Sequence, residues 1–134
     1  VTKRERKALE KYVRWVADAM ELRDWTITID NDPCADDLEG SAVCTFSQRH
    51  VTIAFATNFR DRDPADQRET VVHELLHAHH EVTWRMVQTD LAGALGKPVY
   101  YVFCDSYRRA MEYTVDALAK TIAKAMPLID WGGK

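Results

Sequence analysis

The sequence predicts an α+β fold: an N-terminal helix, a small three-stranded sheet, and two long helices after it. Three observations predict it. Apolar residues recur at helical spacing near both ends of the chain. Short β-branched runs alternate between residues 25 and 56. A strong helix-start signal, Asp63-Pro64, then opens a segment with apolar and histidine residues interleaved.

From Lys3 to Glu21 the residues Leu9, Tyr12, Val13, Val16, Ala19 and Met20 form one apolar stripe, so an amphipathic helix is expected. "WTITID" (Trp25–Asp30) reads as a strand. "NDPCADDLEGSA" is a polar, turn-rich connection. "AVCTF" (Ala42–Phe46) and "HVTIAFA" (His50–Ala56) read as a strand pair joined tightly through Ser47, Gln48 and Arg49, completing a small antiparallel sheet. Asp63 suits an N-cap and Pro64 the first helical position, with the helix running to about Trp84. Gly93, Gly96 and Pro98 read as breaks, and "VYYVFC" fits a short strand or an apolar loop. Asp105 or Ser106 caps a last helix that runs to about Met126, before the stop at Pro127.

The 134 residues fit one domain, residues 1–134. Apolar residues at 46% and charged residues at 29% describe a soluble globular chain. A net charge of −3 supplies no basic field for nucleic acid. The cluster Lys3, Arg4, Arg6 and Lys7 is interrupted by Glu5 and Glu10 and reads as a solvated helix face. No run approaches the ~18 apolar residues of a membrane helix, and the charged first turns carry no signal peptide. The three cysteines, Cys34, Cys44 and Cys104, form no CxxC pair and read as reduced thiols of a cytoplasmic protein.

The chemistry concentrates in "TVVHELLHAHHE", Thr70–Glu81, which contains His73-Glu74-Leu75-Leu76-His77. Positions i and i+4 share a helix face, so both imidazoles can reach one ion. Zinc (Zn2+) takes neutral imidazole nitrogen at ~2.0–2.1 Å, in tetrahedral geometry. Glu74 lies ~100° round the helix from His73. There it is placed for a water held by the metal rather than for the ion, which is the position of a general base. A catalytic zinc needs a third protein ligand and an open position. His80, seven residues after His73, is displaced by ~10 Å along an unbroken helix. The longer HExxHxxGxxH pattern fails, because His80 and Thr83 occupy its glycine and third histidine. His79 and His80 are therefore expected at the rim of the site.

The best third ligand is Glu112, within "SYRRAMEYTVDALAK" and among the apolar residues Met111, Val115, Leu118 and Ile122. Asp116 follows one turn later on the same face, where a carboxylate can hold the second N–H of a ligating histidine. A surface ion pair of Glu112 with Arg108 or Arg109 competes with this reading, and Asp105, Asp90 and Glu81 are weaker third ligands.

HExxH followed on a later helix by Glu112-Tyr113-Thr114-Val115-Asp116 (ExxxD) resembles the gluzincin metallopeptidases, the thermolysin-like clan. In its small size and short sheet before the HExxH helix the chain resembles the minimal zincins of the ImmA/IrrE and SprT-like kind, including phage-encoded ones, more than thermolysin, and the resemblance covers the order of elements from about Trp25 to Lys124. The gap of 35 residues between His77 and Glu112 is longer than in thermolysin itself. The resemblance implies a minimal zincin-like fold with His73, His77 and Glu112 as zinc ligands, Glu74 as base and acid, and Asp116 supporting His73. It also implies that the strand before the active helix, "HVTIAFA", edges the cleft and pairs with extended substrate.

The function expected is zinc-dependent hydrolysis of a peptide bond in a peptide or protein substrate, through metal-activated water with Glu74 as general base. No membrane or nucleic-acid partner is expected. Tyr100, Tyr101, Tyr107, His80 and His50 are the candidate oxyanion donors, His80 and Tyr107 standing as oxyanion or rim groups, and the sequence does not choose among them. The alternative is a zinc-stabilised zincin-like binding module without proteolytic activity. No Gly-rich phosphate loop and no serine or cysteine nucleophile motif is present, and Cys104 has no histidine partner.

Overall fold

A computed structural model describes residues 2–132 of the chain. Helix α1 spans Lys3–Ala19, and a capping box opens it. The Thr2 hydroxyl accepts from the Glu5 amide, while the Glu5 carboxylate accepts from the Thr2 amide at 2.8 Å. Its buried stripe is Leu9, Tyr12, Val13, Val16 and Ala17, continued by Met20. Ala19, expected in that stripe, is exposed, because Ala17 is the residue one turn beyond Val13.

Strands β1 (Thr26–Ile29), β2 (Gly40–Thr45) and β3 (His50–Phe55) form one sheet in the order β1-β3-β2. β2 and β3 form the expected antiparallel hairpin, with Val43 opposite Thr52. Its connection is a 3₁₀ turn, Phe46–Gln48, closed by Arg49 in the left-handed region at φ 46°. β1 departs from the expected antiparallel sheet: it lies parallel to β3, with Ile27 opposite Val51. The long polar connection after β1 carries the chain across the sheet, so the hairpin's second strand becomes central. β3 is accordingly buried at alternate positions, Val51, Ile53 and Phe55. The strand expected to edge the cleft is thus enclosed on both sides, and the edge next to the active helix belongs to β2.

Helix α2 spans Pro64–Met86. The Asp63 side chain accepts from the Ala65 amide at 2.8 Å, and Pro64 occupies the first turn. Val71, Val72, Leu75, Leu76 and Ala78 bury its inner face against the sheet and α1. A π segment, Val87–Leu91, and a single turn, α3 (Ala92–Ala94), lead to α4 (Lys97–Ala123), which packs along α2. α4 begins about two turns before the expected caps at Asp105 and Ser106. Gly96 is its N-cap and Pro98 lies in its first turn, a start signal rather than a break. "VYYVFC" is therefore helical, with Val99, Tyr101, Val102 and Phe103 exposed.

The last residues fold back on the start of α2. The Trp131 indole donates to Gln67 Oε1 at 2.9 Å, and Gln67 Nε2 donates to the carbonyls of Arg60 and Arg62. The Tyr12 hydroxyl donates to the Pro127 carbonyl at 2.7 Å, and Arg68 donates to that of Met126. The N-terminal helix, three-stranded sheet, HExxH helix and C-terminal helix bearing Glu112 together form the minimal zincin-like topology. Among the described residues no helix is long and apolar enough to cross a membrane. The three cysteines are unpaired and half-buried.

Candidate metal centre

α2 and α4 run side by side, and three donor atoms converge between them. His73 Nε2 and His77 Nε2 are 3.2 Å apart. Glu112 Oε2 lies 3.5 Å from the first and 3.7 Å from the second. Two ligand atoms on a tetrahedral zinc are expected about 3.3–3.4 Å apart, from bond lengths near 2.0–2.1 Å. The triangle has the size that such an ion requires. The HExxH…E arrangement read from the sequence is therefore present as a three-donor cluster on two helices.

The chemistry of the donors agrees with the size. Asp116 Oδ1 lies 3.0 Å from His73 Nδ1, so that nitrogen carries the proton and donates. This leaves the His73 Nε2 lone pair pointing at a carboxylate oxygen and a second imidazole. Burial pushes the His77 pKa down to about 4, helped by the neighbouring His73 and His80. A neutral imidazole with a free lone pair is what a cation needs.

Glu74 is buried among the walls of the site, with 4% of its surface exposed. Burial, and secondarily the charge on Glu112, raises its pKa to about 8. The first residue of β2 makes room for it. A Cβ at Gly40 would stand 2.7 Å from Glu74 Oε1 and 3.0 Å from Thr70 Cγ2. The sequence reading passed over Gly40, because a glycine in a polar connection gives no sign of what approaches it in space.

A cleft of about 570 Å³ opens beside the three donors. Gly40 to Cys44 of β2 form one wall, His73, Glu74, His77 and Glu81 the floor, and Met111 and Glu112 of α4 the other wall. The cleft continues past the metal donors to Trp84, Arg85, Gln88 and Arg108, none of which the motifs had marked. On the other side of the donors an adjoining cavity, which shares Gly40, His73 and Glu112 with the cleft, is lined by Asp66, Glu69 and Asp116, and by Arg62, which is paired with Glu39.

The remaining candidates separate. His80 lines the cleft, and burial lowers its pKa. His79 is turned away and bonds the Met20 carbonyl at 2.8 Å. Tyr107 stacks on Trp84 at 5.7 Å and is not part of the cleft lining. His50 is engaged with Thr28 across the sheet, and Tyr100 with the Gln88 carbonyl. Tyr101 is exposed on α4. The weaker third ligands are occupied elsewhere: Glu81 pairs with Arg85, Asp105 with Arg109, and Asp90 accepts from Thr89. Neither Arg108 nor Arg109 pairs with Glu112.

Comparison with known proteins returned no match to any family model, curated protein or solved structure, so the likeness to gluzincins is carried by these residues and their geometry.

Proposed function

We propose that the chain is a zinc metallopeptidase that hydrolyses peptide bonds. The observation that carries this is the convergence of His73 Nε2, His77 Nε2 and Glu112 Oε2 on one point beside the buried Glu74. Zinc bound there would supply a Lewis acid for the scissile carbonyl and lower the pKa of water to ~7. Asp116 holds the His73 ring in its metal-binding tautomer. Glu74 takes a proton from the attacking water and later hands it to the leaving amine.

The free edge of β2 supports a polypeptide as substrate. Its residues from Gly40 to Cys44 line the cleft, and an extended chain can add to that backbone edge as a further strand. His80 on the cleft wall is the residue best placed to donate to a developing oxyanion. The unpaired thiols accord with a reducing compartment.

Glu74→Gln tests the assignment. The variant is expected to retain stoichiometric zinc while losing hydrolysis of an unstructured peptide mixture. Equal hydrolysis by both proteins removes Glu74 from the chemistry. Zinc-loaded wild type that captures peptides without cutting them identifies a binding module instead.

A further inference from the structure

Three elements run the length of the cleft in matching order. On α4, Arg108, Glu112 and Asp116 are spaced one turn apart on one face. On α2, Glu69, His73, His77, Trp84 and Arg85 follow the opposite direction, with His73 beside Asp116 and Trp84 beside Arg108. On β2, Gly40 lies against Glu74 and Thr70, while Cys44 feels the charge of Glu81. The metal donors sit in the middle. One end presents Arg108, with Arg85 paired to Glu81, and the adjoining cavity at the other presents Asp66, Glu69 and Asp116, with Arg62 paired to Glu39.

The two arginines are not equivalent. Arg85 is paired with Glu81 at 3.1 Å. Arg108 has no ion-pair partner among the described residues, and its guanidinium sits 5.9 Å above the Trp84 ring. A guanidinium placed over an aromatic face and facing a cleft is arranged to receive a carboxylate, with its planar fork free for two hydrogen bonds. It stands one helical turn, ~5.4 Å, from Glu112, a distance spanned by about two residues of extended chain at ~3.4 Å each.

The strand direction assigns the side. β2 runs from the acidic end of the cleft to the basic end, from Gly40 to Cys44. A peptide added to its free edge in the more stable antiparallel sense runs the other way. Its residues before the cleaved bond then lie along Trp84 and Arg108, and those after it near Asp66, Glu69 and Asp116. We propose that Arg108 is a specificity-determining residue that selects peptides with Asp or Glu one to three positions N-terminal to the cleaved bond. This rests on the peptidase reading of the same centre, and an acidic residue after the cleaved bond is disfavoured by the carboxylates at the far end.

The test uses zinc-loaded protein and alanine-based synthetic peptides in which a single Asp, Gln or Lys is scanned through every position. Cleavage sites are read by mass spectrometry and each rate as kcat/KM. Asp before the cleaved bond is expected to exceed Lys there by about two- to fivefold, the range of an exposed charge pair. Rising salt should narrow that ratio. Arg108→Glu should invert the ratio, and Arg108→Lys should restore part of it. Circular dichroism and zinc content confirm that each variant is folded. The same peptides are titrated against zinc-loaded Glu74→Gln, alone and combined with Arg108→Glu, so that binding is read without hydrolysis. Cleavage with no charge preference, or with a preference for Asp after the cleaved bond, overturns the proposal and leaves the peptidase reading intact. Acid-selective binding that Arg108→Glu inverts, with no cleavage by wild type, supports the role of Arg108 and overturns the peptidase reading. Absence of both cleavage and selective binding overturns both.

Discussion

The Glu74 carboxylate occupies the space that a side chain on Gly40 would fill: a Cβ there would lie 2.7 Å from Glu74 Oε1. The edge strand and the active helix are thus fitted together through a missing methyl group. Gly40→Ala is expected to push Glu74 off its station while leaving His73, His77 and Glu112 in place. A displacement of ~1 Å at a catalytic group costs on the order of 100-fold in rate. The expected result is a fall in kcat with little change in zinc content, measured by steady-state kinetics and elemental analysis.

The two most strongly perturbed groups of the centre, Glu74 and His77, give the metal-free protein opposite pH dependences. Glu74 is raised from 4.5 to about 8, so its favourable contribution is complete below 4.5 and is lost as pH rises through 8. His77 is lowered from 6.5 to about 4, so its contribution is complete above 6.5 and is lost as pH falls towards 4. Metal-free Glu74→Gln should therefore unfold at a higher temperature than metal-free wild type at pH 8, by roughly 5 °C or more. The two should converge near pH 4, where both still weaken through His77. Thermal melts in chelator across this range measure the crossover.

Asp116 Oδ1 lies 3.0 Å from His73 Nδ1. Asp116→Asn can present its amide N–H to the ring and select the wrong tautomer. Zinc affinity is expected to fall ~10–100-fold, the usual effect of losing such a support. Competition with a fluorescent chelator reads this directly. His77→Ala, which removes a donor, should lose the metal altogether.

Gln67, 1% exposed, fastens three segments at once: the Arg60 and Arg62 carbonyls receive its amide, and Trp131 donates to its oxygen. Gln67→Leu leaves these half-buried partners unpaired, at a cost of up to about 1–3 kcal/mol for a group kept from water. Chemical denaturation should show a lower midpoint, and a Trp131→Phe background should shrink the loss.

Much of this architecture can be read without coordinates, and the boundaries of that reading are physical. The i, i+4 histidines announce themselves because helical geometry alone places them on one face. Glu112 and Asp116 were found by asking what a third ligand and its support require, and the helix pairing brings both to His73. Strand order was not available, because alternation marks a strand without saying which neighbour it takes. Hence β1 was expected antiparallel, and β3 was assigned the edge that β2 holds. The start of α4 was missed for another reason. Its first turns leave Val99, Tyr101, Val102 and Phe103 in solvent, so no buried stripe reveals the period. Gly40 and Arg108 acquire meaning only from what the fold sets beside them.

Two of the metal donors come from α2 and the third from α4. The buried residues of α4 are Val115, Ala119 and Ala123, all on the C-terminal side of Glu112. The stretch before that point has no fully buried residue among those described; it is held by the contacts of Trp84, Phe103, Tyr107 and Arg108, the packing of Met111, and the Tyr100 hydroxyl on the Gln88 carbonyl. An ion bound between the helices would act as a rivet at the base of this long arm. Chelation is expected to quicken amide exchange across Lys97–Glu112 while sparing the sheet, a pattern that hydrogen–deuterium exchange resolves. Scarcity of metal would then slacken one limb of the molecule and leave the rest of its scaffold waiting, already assembled, for the ion to return.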